Sequence, residues 1–180
     1  MKHLIDKAFS ALQSVFPNYE ILDGFIDMLL FDCLTGNNDR HYYNWGVITH
    51  IRNAHEPYFS PIYDTARGLY WNNDEEFILS LHKDNEEQQN NRIHKYVKTS
   101  VPKISTPENN TCNHHQLIQY LKENDFIKPA HISRWTDNAS LEKTLKTLKR
   151  DFVKLFTLQR IKIIEKILNF RFQNLESIIK

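Results

Sequence analysis

The tightest constraint on this chain is an apolar stripe near its start. Leu22, Phe25, Ile26, Leu29, Leu30, Cys33 and Leu34 recur in steps of three and one, which places them on one face of a helix. Gly36 suits the end of that helix, because glycine enters the left-handed backbone of a helix terminus without a Cβ clash. The chain then turns polar in "GNNDRHYYNWGVI", residues 36–48. Turn chemistry accounts for Gly36-Asn37-Asn38. It gives no ready reason for Asp39, His41 and Asn44 between a buried helix and a strand.

Around this stripe the pattern is mostly helical. Leu4, Ile5, Ala8, Phe9, Leu12 and Val15 fall at helical spacing, and Pro17 stops them. "NWGVITHI" and "EPYFSPIY" read as two short strands of a hairpin joined by the polar "RNAHE". "DTARGLYWNNDEE" follows as a loop with an aromatic patch. From Glu75 to Arg92 the pattern is weak and polar, and a helix is expected only near Asn91 to Thr99. "SVPKISTPENN" is a connecting loop with two prolines. Asn113 and Gln116 form a capping-box start for a helix through Glu123. Leu141, Leu145, Leu148, Phe152 and Leu155 mark another helix. A last one, from about Leu158 to Ile179, is apolar on more than one face, as suits either central burial or a partner. The expected class is mainly α, of the α+β kind, with one small β-hairpin, and 180 residues fit a single domain.

Composition narrows the function classes. The net charge of +1 gives no bulk reason to expect nucleic acid or an anionic membrane as partner. No apolar run approaches the roughly 20 residues that span a bilayer, and "MKHLIDKAFS" lacks the apolar core of a signal peptide. The two cysteines, Cys33 and Cys112, match neither a zinc pattern nor a disulfide framework, and Cys33 reads as a small core residue. A cytoplasmic location is the expectation.

The polar loop is where chemistry concentrates. Asp39 and Asn44 lie five positions apart just before a strand, and Asp64 lies twenty residues after Asn44, just past the second strand. A hairpin brings its two ends together, so Asn44 and Asp64 are expected to face one cleft. Both offer hard oxygen donors of the kind Mg²⁺ takes when it carries a polyphosphate. Asp39 can accept a proton from an attacking hydroxyl. Any one of these residues would serve equally well as a cap or turn former; the order, spacing and element boundaries together match the parts of phosphoryl transfer.

"GNNDRHYYNWGVI" followed by "FSPIYDTARGL" resembles the catalytic and metal-binding segments of HipA-like serine/threonine kinases. The Asp-Arg-His-x-x-Asn order also resembles the phosphoinositide-type lipid kinases, but only over this short motif. In both groups the His follows the catalytic Asp, whereas in ordinary protein kinases it precedes it. The resemblance implies Asp39 as the catalytic Asp, Asn44 and Asp64 as Mg²⁺ ligands, and ATP as the phosphoryl donor to a protein substrate. "YDT" stands where protein kinases carry Asp-Phe-Gly. His41 would orient the loop, neutralise transition-state charge, or serve as a structural histidine. Arg40 has two candidate partners, a phosphate of the cofactor or a carboxylate of the loop. The likeness is specific over residues 22–71; "YVKTSVPKI" and "NHHQLIQYL" extend it more loosely. HipA-like kinases often act as toxins in growth-arrest operons, so an antitoxin-like partner is among the implications.

A complete kinase also has an upstream lobe with a Gly-rich loop and a strand Lys. The four glycines here, at 24, 36, 46 and 68, form no such loop, and Lys2 and Lys7, the only upstream lysines, sit on no strand pattern. The expectation is therefore a C-terminal lobe without its N-terminal lobe, slow or inactive alone. It would be a split gene product, the partner of a separate N-lobe, or a non-catalytic remnant that serves as an interaction scaffold. A metal hydrolase built on Asp39 and His41 with His50 and His55 is a weaker alternative. His114-His115 makes a poor ligand pair, since adjacent helical residues point about 100° apart, and reads as the polar first turn of a helix. Trp45, Tyr70 and Trp71 would wall a nucleotide or peptide site or pack in the core or at the rim.

Overall fold

In a computed structural model that describes residues 3–17, 20–52 and 55–180, the apolar stripe forms the centre of a mainly helical fold. β1 (His3–Leu4) leads into α1 (Ile5–Val15), and α2 (Ile21–Thr35) carries the stripe. The stripe was expected to bury one face. Ile21, Met28 and Asp32, outside the stripe, are also buried, so α2 is enclosed on several sides. β2 (Val47–Ile48) and β3 (Tyr58–Phe59) pair antiparallel, with Val47 opposite Phe59. This is the expected hairpin, cut to two residues a side; part of its connection lies outside the described residues.

The polar middle of the chain departs from expectation. It folds into α3 (Glu75–Lys83) and α4 (Glu86–Thr99). Asp74 caps α3 by accepting from the Phe77 amide, and an Asn85–Gln88 capping box starts α4. Few apolar residues are needed here, because α3 buries little beyond Ile78 and Leu81. β4 (Ile104–Ser105) pairs parallel with β1, a contact with no periodic signature in the sequence. The capping box of Asn113 and Gln116 starts α5 (His114–Glu123) as expected, and both bonds of the box form. His114 is buried and His115 half-buried, so the two histidines turn inward while Gln116 stays exposed. α6 (Pro129–Trp135) was not foreseen; α7 (Asn138–Asp151) ends before Phe152 and Leu155, which lie in an exposed turn.

The final helix, α8 (Leu158–Ile179), joins the core regions. Leu175 and Ile179 enter the main cluster with α1, α2 and α5; Ile163 and Ile167 pack with Tyr70, α3 and α4; Ile161 and Ile164 meet Leu148 of α7. Its apolar residues on more than one face are therefore explained by central burial. Cys33 and Cys112 are both buried and form no disulfide, and burial pushes the Cys33 thiol up to about 12. No helix among the described residues is long and apolar enough to cross a membrane.

Candidate active site

The site is built on the end of α2. Gly36 adopts φ +69° and its amide returns to the Asp32 carbonyl at 2.8 Å. A helix end leaves carbonyls to be satisfied from outside, and here distant segments do it. Arg171 of α8 donates to the Cys33 carbonyl (3.0 Å), Leu69 N–H to the Thr35 carbonyl (3.1 Å), and the Ser100 hydroxyl to the Gly36 carbonyl (3.1 Å). A Cβ on Gly36 would lie 2.3 Å from Arg171 Nη2, so the glycine is required by the close approach of that side chain as well as by its backbone.

Asp32, on the apolar helix, is the buried anchor of the loop. Its carboxylate accepts from Arg40 Nε (2.7 Å) and Nη2 (2.9 Å) and from the Asn37 amide (3.1 Å). Arg40 Nη1 donates to the carbonyls of Asn44 (2.5 Å) and Tyr63 (2.7 Å). Arg40 thus takes a carboxylate rather than a phosphate as partner, and that carboxylate belongs to α2 rather than to the loop. Its side chain has no solvent exposure. Of the two partners the sequence leaves open, a cofactor phosphate is not the one taken: Arg40 lies beneath the loop, where a planar fork with several fixed donors is needed.

That fork gathers the candidate residues. Asn44 and Tyr63, the residue before Asp64, hang from one guanidinium nitrogen, and the Tyr63 hydroxyl donates to the Tyr43 carbonyl at 3.0 Å. The hairpin's return is thereby stitched onto the loop, as the spacing predicted. The Asn44 side-chain amide donates to the Asp39 carbonyl (3.0 Å), which leaves its oxygen as the atom available to a cation. Asp64 is exposed and holds φ +52°, a left-handed conformation that Asp tolerates better than most residues. Leu69 and Tyr70 also have positive φ (54° and 61°), which is strained for bulky side chains. The Leu69–Thr35 bond and the donation of Tyr70 N–H to the Tyr96 hydroxyl (2.9 Å) hold them there.

Asp39 itself is 9% exposed. Its amide donates to the Asn37 side-chain oxygen (3.2 Å), and its carboxylate meets Lys103 on Oδ1 and Arg67 Nε on Oδ2 (3.1 Å). Burial is the largest single influence and pushes the carboxyl up, but the Lys103 hydrogen bond and the charges of Lys103, Arg67 and His41 together outweigh it. Asp39 is therefore held ionised, below the usual carboxylate range. His41 Nδ1 accepts from the Tyr43 amide (3.3 Å), so the ring's proton sits on Nε2 in the neutral form. In this arrangement the His41 ring contacts the loop's own backbone at Tyr43.

Lys103 and Arg67 escaped sequence reasoning. Lys103 stands 64 residues beyond Asp39 and is positioned by the β1–β4 pairing directly after it. Asp32 did leave a signal: a carboxylate between Phe31 and Cys33 on an apolar helix needs a buried cation. Trp45 packs against Phe25 and Phe59 and Tyr70 is buried, so both are core residues; Trp71 stays 48% exposed. Tyr42 and Tyr43 are exposed rather than packed into the loop.

Asn44 and Asp64 supply two hard oxygens, which fits Mg²⁺, an ion that keeps several waters and takes few protein ligands beside a phosphate. Among the described residues no three of His, Cys, Asp and Glu are grouped to hold a metal ion. The hydrolase alternative therefore lacks a convergent donor set. His50 and His55 face each other instead, with ring centroids 5.2 Å apart.

Known proteins share this mainly helical fold with its small hairpin. The HipA-like C-terminal domain family matches residues 2–145, and the chain belongs to it. A solved structure described as a Helicobacter pylori proinflammatory kinase, CtkA, is similar in fold, with a TM-score of 0.61 and 19% identity. The match covers 85% of this chain and 51% of that one, so the chain spans about half the length of that kinase. No curated protein matches.

Proposed function

We propose that the chain is the catalytic lobe of a HipA-like serine/threonine kinase, which transfers the γ-phosphate of ATP to a protein hydroxyl when an N-terminal lobe completes it. The observation that carries this reading is the shared Arg40 nitrogen, which ties Asn44 and the neighbour of Asp64 together beside an ionised Asp39. Asp39 positions the hydroxyl and takes its proton. Asn44 and Asp64 hold Mg²⁺, which when bound neutralises charge on the phosphates. Lys103 and Arg67 exchange Asp39 for phosphoryl oxygens when the donor enters. A separate N-lobe or an antitoxin-like protein is the expected partner, and the cytoplasm the expected location. Exposed Tyr42, Tyr43, Ile48, Ile51, Tyr58 and Ile62 around the hairpin support a docking face for that lobe.

A second reading, a non-catalytic scaffold, draws on one observation: Lys103 and Arg67 already occupy both oxygens of Asp39. Calorimetric titration of Mg²⁺–ATP into the chain, alone and with a candidate N-lobe, separates the two, with Asp64→Asn as control. Binding that the control loses supports the kinase; no binding in either setting supports the scaffold. In the completed enzyme, Asp39→Ala and Asp64→Ala should each abolish transfer while the protein remains folded. Unchanged transfer would remove these residues from the mechanism.

A further inference from the structure

A large cavity lies beside the candidate active site, and no part of the phosphoryl-transfer chemistry uses it. It is a groove of about 810 Å³ between α2, the segment after Asp64, and the α7–α8 corner. Thr65, Ala66, Gly68 and Leu69 form one wall, and Thr144, Leu148, Phe152 and Phe156 the other. Gly68 allows the first wall to lie flat on α2, since a Cβ there would come within 2.4 Å of the Thr35 carbonyl. The corner beyond is unusually apolar for a surface: Leu155 is 74% and Leu158 63% exposed.

Two features point to an occupant. The first is position. Arg67 joins groove to site: its guanidinium lies 5.2 Å from the centre of the Trp71 ring, a groove residue, while its Nε contacts Asp39. Those contacts put the indole within about 10 Å of the Asp39 carboxylate, the span of about three residues of extended chain. The second is charge. Arg160 at the groove is neutralised by Glu75, and on α7 Lys149 and Arg150 pair with Glu165 and Asp151. Exposed Lys143, also on the groove wall, pairs with no carboxylate among the described residues.

We propose that this groove binds the protein substrate: an extended segment with an apolar or aromatic anchor about three residues from the phosphorylated hydroxyl and an acidic residue beyond it that meets Lys143. The anchor fills the wall of Trp71, Leu148 and Phe156, as buried apolar side chains dominate peptide affinity. Lys143 selects charge. The inference rests on Asp39 as the group that positions the hydroxyl, but binding in the groove needs neither ATP nor transfer.

The test is fluorescence anisotropy with the 180-residue chain and labelled short peptides, made in both chain directions. One carries a central Ser, a Leu-Phe anchor three and four positions away, and two Glu beyond. A second replaces Glu with Lys, and a third replaces Leu and Phe with Ser. The first peptide should bind at least about ten-fold tighter than the others. Thr144→Trp, an exposed position on the groove wall, should remove binding. Lys143→Glu should reverse the preference toward the Lys peptide, whereas Lys146→Glu on the same helix should not. Equal binding of the three peptides, no binding of any, or no reversal in Lys143→Glu overturns the proposal. Concentration-dependent self-association that Thr144→Trp abolishes also overturns it, since the groove would then join copies of the chain. Asp64→Asn should leave peptide binding unchanged. Peptide binding that persists where Mg²⁺–ATP never binds would therefore fail the kinase reading and leave the groove standing.

Discussion

Replacing Arg40 with Leu isolates the element on which the loop depends. The substitution leaves Asp32 as a buried carboxylate without its cation and the Asn44 and Tyr63 carbonyls without their shared donor. Breaking a buried ion pair from one side costs about 3–5 kcal/mol, because the remaining charge is uncompensated. Tyr63 is partly exposed and water can replace its donor, so about 4 kcal/mol is expected in total. That is a large share of the 5–15 kcal/mol typical of a domain. With a urea slope of about 2 kcal/mol per molar, the midpoint should fall by about 2 M. Asp32→Leu combined with Arg40→Leu removes both charges and should recover at least about 2 kcal/mol relative to the sum of the singles. Arg40→Lys should sit between, since an ammonium cannot reproduce the fork. A loss under about 1 kcal/mol, or additive singles, would refute the argument. So would weaker Mg²⁺–ATP binding at unchanged stability, which would return Arg40 to the phosphates.

Further outcomes follow from other parts of the structure. Gly36→Ala must hold φ +69° and displace buried Arg171; a loss of about 2–3 kcal/mol in urea unfolding is expected, partly recovered by Arg171→Leu. Lys103→Met should raise the Asp39 carboxyl toward its ordinary value, read by NMR titration of the side-chain carbon; Lys146→Met should not. Burial, with a contribution from Arg171, lowers His115 to about 4 from an unfolded value of 6.5. The unfolded chain therefore binds the extra proton first, and stability falls as pH drops from 6.5 toward 4, by about 3 kcal/mol. His115→Gln should flatten that slope in unfolding curves taken at pH 4.5, 5.5 and 7.

What the sequence discloses depends on how local each cause is. The stripe of α2, its Gly36 terminus and the Asn113–Gln116 capping box are written within a few residues, and each is read correctly. The order Asp39, Asn44, Asp64 is legible because a hairpin converts sequence spacing into proximity. α3 and α6 are hidden by their small burial: α6 buries only His131. Periodicity misleads at Phe152 and Leu155, which continue the α7 pattern after Phe152 has ended the helix and Thr157 has capped the next. β1 and β4 pair two residues each across a hundred positions, which no local pattern announces. Lys103 comes with them, so the main group that lowers the Asp39 carboxyl is the least readable. The motif leaves Arg40 two candidate partners, and the choice is decided by Asp32, a residue outside the motif.

Arg171 carries a consequence for where this unit of inheritance ends. The family match stops at residue 145, yet the side chain lodged against Gly36 arrives from residue 171. A chimera that grafts only residues 2–145 onto another kinase half would leave the Cys33 carbonyl without its donor and a hollow where the guanidinium sat. Positions 36 and 171 are also sterically exclusive: one must stay bare for the other to be long. Among relatives the two should change together, a paired substitution joining the shared segment to a tail that is free to diverge everywhere else.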